Sequence, residues 1–327
     1  MKLSRCIFAV CTLIVEASIH PSLFALDNIQ VGNVVRSYAS LPHDAAVEQR
    51  FFEREGLLIQ NVSLGNVTRI IQAQIAGSID LGVNDPSGVI AAVEAGQDFK
   101  AVAGINNSAP YTIIGVKGMK NLREIEGKAV AVSGLKSGST VLLTTVIELA
   151  TGLKYPRDYT LLEVGGTPDR LAALQTGRVA ATILLGAAAT YKAIDAGSTP
   201  LATVSDYVPE FQWVTVNAAG SWLRQEKYQD LLVRYLKGII RATDWIYKNR
   251  EAAILLGMKL TGLDRKYVEK EEEEFFTRKI FPVGAKVTEK GFQTLTDMMW
   301  SGVLGKSGPP PSFRKYVDLQ YLEKAAK

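Results

Sequence analysis

One pattern occurs twice in this chain, and it limits what the chain can fold into more than any other feature. Residues 62–83 read VSLGNVTRIIQAQIAGSIDLGV and residues 162–183 read LEVGGTPDRLAALQTGRVAATI. Gly65 aligns with Gly165, Ile71 with Leu171, Gly77 with Gly177, Ile79 with Val179 and Val83 with Ile183. After one inserted residue, Ala-Val-Glu-Ala-Gly at 92–96 matches Ala-Ile-Asp-Ala-Gly at 193–197. Each copy reads as a strand, a Gly turn, a short helix ending at Gly, and a second apolar strand running into a loop. Such a unit needs roughly 30 residues and leaves its two strands parallel in one sheet. Two units predict two similar α/β lobes with a ligand site between them.

A chain of 327 residues is long enough for two domains with separate cores. A formal charge of +4, without a basic stripe carrying interleaved aromatics, excludes nucleic acid as the expected partner. The first 25 residues stand apart. Lys2 and Arg5 precede an apolar run from Cys6 to Val15, and Pro21 to Ala25 supplies a break and a small residue. That is the layout of a secretory signal, with a run too short to span a bilayer. Cys6 and Cys11 both lie inside it, so the mature chain is expected to hold no thiol, disulfide or thiolate metal site.

Read in order, Ile29 to Tyr38 is a first strand and 39–44 its loop, followed by a helix from Ala45 to Glu55. His43 is expected on the surface of that loop. Tyr111 to Val116 reads as a crossing into a second lobe and Phe211 to Val216 as the return. The expected organisation is a leader at 1–25, a discontinuous lobe of 27–110 with 215–327, and an inserted lobe of 111–214. Two connecting strands form the hinge. Residues 225–256 are helical, with Leu232, Leu236, Ile239, Thr243 and Ile246 on one stripe. The run Glu271 to Glu274 is expected on a solvated helix face.

In an open parallel sheet, ligands bind beyond the carboxyl ends of the strands. The loops this selects offer Tyr38, Ser40 and Leu41; Asn84, Asp85 and Ser87; Asn107; Ser133, Ser137, Gly138, Ser139 and Thr140; Gly166 and Thr167; and Leu185 and Gly186. Trp213 joins them from the return segment. In the segment 133–140, small residues let a backbone approach, Ser137 or Ser139 can cap a helix, and first-turn N–H groups suit an anion. The same residues also describe a well-capped helix with no ligand. Thr167 reads as a helix N-cap, with Pro168 at the first helical position. Asp85 is equally a turn residue, and Tyr38 and Trp213 are equally core. There is no HExxH, GxSxG, Walker-type loop or GxGxxG, so no catalytic set, metal site or cofactor is expected.

Several of these segments resemble periplasmic substrate-binding proteins of ABC importers, the nitrate/sulfonate/taurine type also called NMT1/THI5-like. Phe51–Leu57 resembles that family's FFEKEGL segment, residues 75–80 its LAGEID, 174–179 its LQAGEVD, 122–132 its DLKGKRIAV, and 314–319 its tail. Arg50 departs from the usual Gly and Ala180 from the usual Asp. Residues 184–188 lack the polar or Pro residues common there, which implies a roomier, more apolar wall than nitrate needs. The resemblance implies a type II-like two-lobed periplasmic binding protein, each lobe a mainly parallel sheet flanked by helices. It would work as a monomeric, non-enzymatic receptor that passes a small organic anion, a sulfonate, carboxylate or pyrimidine-like molecule, to an ABC permease with its cytoplasmic ATPase. The alternatives on this scaffold are a pyrimidine-precursor (thiamine biosynthesis) enzyme and a ligand-sensing module.

Overall fold

The computed structural model describes residues 26–34 and 37–327; the expected leader at 1–25 lies outside the described residues. Among the described residues there are ten strands: β1 (Asp27–Asn33), β2 (Leu57–Ser63), β3 (Leu81–Asn84), β4 (Phe99–Asn106), β5 (Tyr111–Gly115), β6 (Ala129–Val132), β7 (Thr160–Glu163), β8 (Ala181–Leu185), β9 (Thr199–Thr203) and β10 (Val214–Ala219). They form two separate five-stranded sheets, ordered β2-β1-β3-β10-β4 and β7-β6-β8-β5-β9. In each sheet the first three strands run parallel, and the fourth runs antiparallel to both of its neighbours. The two orders are the same, as a duplicated unit requires.

The repeat falls one copy to each sheet. Its two strands are parallel but not adjacent, because β1 inserts between β2 and β3 and β6 inserts between β7 and β8. Local chemistry explains why the glycines recur. Gly77 and Gly177 close the helices Val67–Ile75 and Thr167–Gln175 at φ of +71° and +70°, where a side chain is strained. The next N–H then turns back to the helix, Ser78 to the Ala73 carbonyl and Arg178 to the Ala173 carbonyl. Asp80 and Ala180 resume the strand by donating to the carbonyls of Gln30 on β1 and Ala129 on β6. A sequence match at this spacing therefore records the same turn built twice.

Helices cover the sheet faces, and several boundaries differ from the sequence reading. The first strand stops at Asn33, and Tyr38 sits in a 3₁₀ turn, Tyr38–Ser40. The helix expected at Ala45 begins at Leu41, with Pro42 in its first turn where a missing N–H costs nothing. It breaks at Arg50, whose φ of 57° is left-handed, before a short helix Phe51–Arg54. That geometry accounts for the Gly usual at position 50 in the resembling family. The segment 204–209, read as irregular, contains the short helix Val204–Tyr207. The return strand starts at Val214 rather than Phe211.

His43 is not a surface residue. It is buried in the helix Leu41–Glu48 and shares hydrogen bonds with the Tyr235 hydroxyl (2.7 Å) and Asn61 Oδ1 (2.6 Å). Tyr235 lies on the long helix Glu226–Lys248, whose stripe of Leu232, Leu236, Ile239, Thr243 and Ile246 is buried as the periodicity predicts. A second helix, Arg250–Thr261, follows directly, with Asn249 in a non-helical conformation (φ −133°, ψ 55°) between them. Among the described residues no helix is long and apolar enough to cross a membrane.

Gly238 shows how tightly the long helix is seated. Glycine inside a helix costs about 1 kcal/mol relative to alanine, so Gly238→Ala gains from propensity. An added Cβ would stand 2.5 Å from Phe52 Cδ1 and 2.7 Å from Cε1. Phe52 is buried and stacked on Tyr235 at 4.7 Å, so it has nowhere to move. Overpacking of this kind costs about 1–3 kcal/mol. Gly238→Ala is therefore expected to lower stability by about 1 kcal/mol net, read as a lower denaturant midpoint at unchanged slope. A rise in the midpoint would mean that the Phe52 ring yields.

Candidate functional site

The carboxyl ends of the parallel strands in both sheets face one shared, partly open cleft. Asn33 and Val34 follow β1, Asn84 and Asp85 follow β3, Ser133 follows β6 and Leu185 ends β8. The cavity measures about 140 Å³. A single water needs roughly 10–15 Å³ by the same measure, so a molecule of about ten non-hydrogen atoms fits. Its walls are mixed. Val34, Ala39, Val67, Val83, Leu185 and Val214 are apolar, Tyr111 and Trp213 meet edge-on at 4.8 Å, and serines occupy much of the remainder.

Of the sequence candidates, Ser40, Asn84, Asp85, Ser133, Ser137, Ser139, Gly166, Thr167, Leu185 and Trp213 line this cavity. Seven do not. Tyr38 packs against Phe275 and Phe281, and Leu41 is wholly buried in the core, while Ala39 and Ser40 of the same turn reach the lining. Asn107 turns away to donate to the Lys286 carbonyl (3.1 Å). Thr140 donates to the Gly134 carbonyl (2.7 Å) to hold the loop before its own helix. Ser87, Gly138 and Gly186 lie behind carboxylates described below. The lining also includes residues not named as candidates: Asn33, Val34, Ser37, Ala39, Val67, Val83, Tyr111, Arg170 and Val214, of which only Ala39 and Val67 fall in the loops that the strand ends select. Arg170 had a readable signal, since it stands at the fourth position of a helix aimed at the cleft.

The segment 133–140 folds as a capped helix start. Ser137 is the N-cap of the helix Gly138–Thr151 and accepts from the Thr140 N–H (3.4 Å). The hydroxyls of Ser133, Ser137 and Ser139 form a ring with contacts of 2.8, 2.8 and 3.0 Å. The first-turn N–H of Gly138 does not face an open seat. It donates to Asp85 Oδ2 (3.0 Å), while Asp85 Oδ1 accepts from the Ser87 N–H (2.8 Å). A carboxylate from the first sheet thus fills the anion position of a helix belonging to the second. Burial pushes the Asp85 carboxyl up to about 6, with the two N–H groups acting in the opposite sense.

Arg170 is only 2% exposed. Its Nε donates to the Ile183 carbonyl (3.0 Å), its Nη1 to the Gly165 carbonyl (2.6 Å) and its Nη2 to Thr167 Oγ1 (3.1 Å). Burial lowers its pKa from the usual guanidinium range. Thr167 is not the N-cap; Gly166 takes that place, and Asp169 accepts its N–H (3.1 Å) while Thr167 sits one residue inside. Asn33 Oδ1 and Asn84 Nδ2, also at the cavity, are buried without a hydrogen-bond partner. Unsatisfied buried polar atoms are uncommon in folded proteins, and two of them meet at this wall.

A second carboxylate repeats the arrangement of Asp85. Glu271, on the helix Arg265–Thr277, accepts the Ala188 N–H (2.8 Å) at the start of the helix Gly186–Asp195. The loop expected at 185–188 is therefore a helix start, because Gly186 follows β8 directly at φ +82°. Nor is the run Glu271–Glu274 wholly solvated: Glu271 and Glu272 are buried, and Glu272 pairs with Arg250 at 2.6 and 2.7 Å. Lys266 and Tyr267 on the same helix bond Asp195 (2.7 and 2.6 Å). Among the described residues no group of three or more His, Cys, Asp or Glu side chains is placed to hold a metal.

Comparison with known proteins places these features in context. The profile described as NMT1/THI5 like matches residues 40–253. No curated protein matches the chain. Among solved structures, the ligand-binding component of an ABC-type import system from Staphylococcus aureus, with zinc bound, superposes with a TM-score of 0.74 at 16% identity. The match covers 91% of this chain and 99% of that one. The alkanesulfonate-binding protein SsuA from Xanthomonas axonopodis pv. citri, bound to MOPS, gives 0.72 at 18% identity, over 88% of this chain and 97% of that one. The periplasmic aliphatic sulphonate binding protein SsuA from Escherichia coli gives 0.69 at 20%, over 89% and 92%. At these identities the likeness establishes the periplasmic-binding-protein fold.

Proposed function

The chain belongs to the NMT1/THI5-like family, and from that premise we propose that it is an extracytoplasmic solute receptor. It binds a small organic molecule between two lobes and delivers it to an ABC permease driven by a cytoplasmic ATPase. The lobes are 27–110 with 215–327, and 111–214; the leader at 1–25 exports the chain. The observation that carries this reading is the cleft shared by the carboxyl ends of both sheets, with unpartnered polar atoms of Asn33 and Asn84 at its wall. The sulfonate-binding neighbours support it as relatives of the same fold. The connectors between the sheets suit a hinge. Trp213 N–H and the Gln212 amide both donate to the Asn106 carbonyl (3.0 and 2.9 Å), so the two crossings move as a pair.

The ligand-binding residues are Ser40, Asn84, Asp85, Ser133, Ser137, Ser139, Gly166, Thr167, Arg170 and Trp213, with Leu185 as an apolar wall. No reaction follows binding. The chain's two cysteines, Cys6 and Cys11, fall in the expected leader, and His43 is bonded to Tyr235 and Asn61 and is not among the lining residues. That favours a receptor over a pyrimidine-precursor enzyme, and turnover by the purified protein would reverse the choice. Co-purification with a sensor kinase instead of a permease would make it a sensing module.

A melting screen with sulfonates, aromatic carboxylates, amino acids and pyrimidines tests the reading. A ligand at a hundredfold excess over its dissociation constant stabilises the closed form by about 2.7 kcal/mol. The expected result is a melting temperature higher by about 5 °C or more. Flat curves for every compound would overturn the receptor reading.

A further inference from the structure

Among the described lining residues only Asp85 and Arg170 carry charge, and they come from opposite sheets. Among the described residues neither forms a salt bridge, although the Asp169 carboxylate acts on Arg170 from the neighbouring position. Asp85 is held by the N–H groups of Ser87 and Gly138, and Arg170 by two carbonyls and a hydroxyl. A guanidinium has five N–H donors, so Arg170 retains two beyond those three bonds. The Tyr111 phenol is pushed far above its usual range by burial and stays neutral. Over its described residues the lining thus carries one negative and one positive side chain.

Resting on the receptor reading, we propose that the cavity selects a molecule that is neutral overall. It would present a cationic or donor group to Asp85 and an anionic or acceptor group to Arg170. Burying an unpaired charge is unfavourable, whereas burying a hydrogen-bonded pair is tolerated. A guest with both kinds of group pairs Asp85 and Arg170 together. A simple monoanion satisfies Arg170 but brings a second negative charge into the cleft with Asp85. The helix N-terminus that would hold that anion is already engaged by the Asp85 carboxylate. Asp85 is thus a specificity residue that excludes the anions a capped helix start would otherwise attract.

Three probes of matched shape test this by titration calorimetry near pH 7.5: 4-(aminomethyl)benzoate, 4-methylbenzoate and 4-methylbenzylamine. The parent protein is expected to bind the zwitterion at least tenfold more tightly than either singly charged probe. Asp85→Asn is expected to shift preference at least tenfold toward 4-methylbenzoate, and Arg170→Gln equally toward 4-methylbenzylamine. Because the variants move in opposite directions, either one that folds is decisive. A parent that prefers 4-methylbenzoate, or unchanged ratios in a folded variant, would overturn the assignment. If none of the three binds, the compounds that raise the melting temperature in the screen decide it. Neutral or zwitterionic hits support the proposal, simple anions overturn it alone, and no hits at all overturn the receptor reading with it.

Discussion

The Glu271→Gln variant is expected to melt about 5 °C above the parent chain at pH 9 and close to it at pH 5. Burial raises the Glu271 carboxyl to about 8, and Glu274 nearby adds to the effect; the single N–H from Ala188 opposes it and loses. The folded state therefore holds this proton at a pH where the unfolded chain has released it. Stability from this group is complete below the ordinary value of 4.5 and is lost as pH rises through about 8. At about 1.4 kcal/mol per unit the loss has a ceiling of roughly 5 kcal/mol. Opening of the cleft rehydrates the carboxylate and reduces this to on the order of 2–3 kcal/mol, which for a chain of this size is about 5 °C. Glutamine keeps an acceptor for the Ala188 N–H and removes the charge. Melting curves of both proteins from pH 5 to 9 test this; a constant difference across that range would mean that position 271 is solvated.

Gly138→Val is expected to weaken ligand binding at least a hundredfold while the ligand-free protein melts within a few degrees of the parent. A Cβ at position 138 would lie 2.3 Å from Asp85 Oδ2 and 3.0 Å from its Cγ. Asp85 cannot give way without losing the Ser87 and Gly138 N–H bonds that compensate its burial. The clash falls between the two sheets, not inside either core, so it is relieved by holding the cleft open. A closure penalty of about 3 kcal/mol is a hundredfold in affinity. The measurements are titration with a compound found by the melting screen and the radius of gyration in solution, which should be larger in the variant. Full affinity with an unchanged radius would show that the Asp85–Gly138 contact does not govern closure.

Both predictions depend on contacts between segments far apart in the chain, and that divides what could be read in advance from what could not. The repeat announced two equivalent strand–helix–strand units, because Gly77 and Gly177 end their helices with the same left-handed turn. The stripe on the helix Glu226–Lys248 announced its buried face for an equally local reason, since a 3.6-residue period is a property of the helix itself. The strand-end rule found Ser133, Ser137, Ser139 and Asn84, whose places follow from local topology.

Other features depended on partners that no local pattern encodes. His43 looked like a loop residue until Tyr235, 192 positions later, enclosed it. Glu271 looked solvated because four consecutive glutamates usually are, yet helix Arg265–Thr277 lies against the start of helix Gly186–Asp195. Ser137 and Gly138 were legible as a helix start with room for an anion. That the anion is the protein's own Asp85, from the other sheet, was not. Sequence alone determined the turns, the helix faces and the duplication, since each is set within about 30 residues by backbone geometry and apolar periodicity. Only the tertiary structure decided which charges meet across the cleft, because burial and opposition in space arise when the two sheets come together.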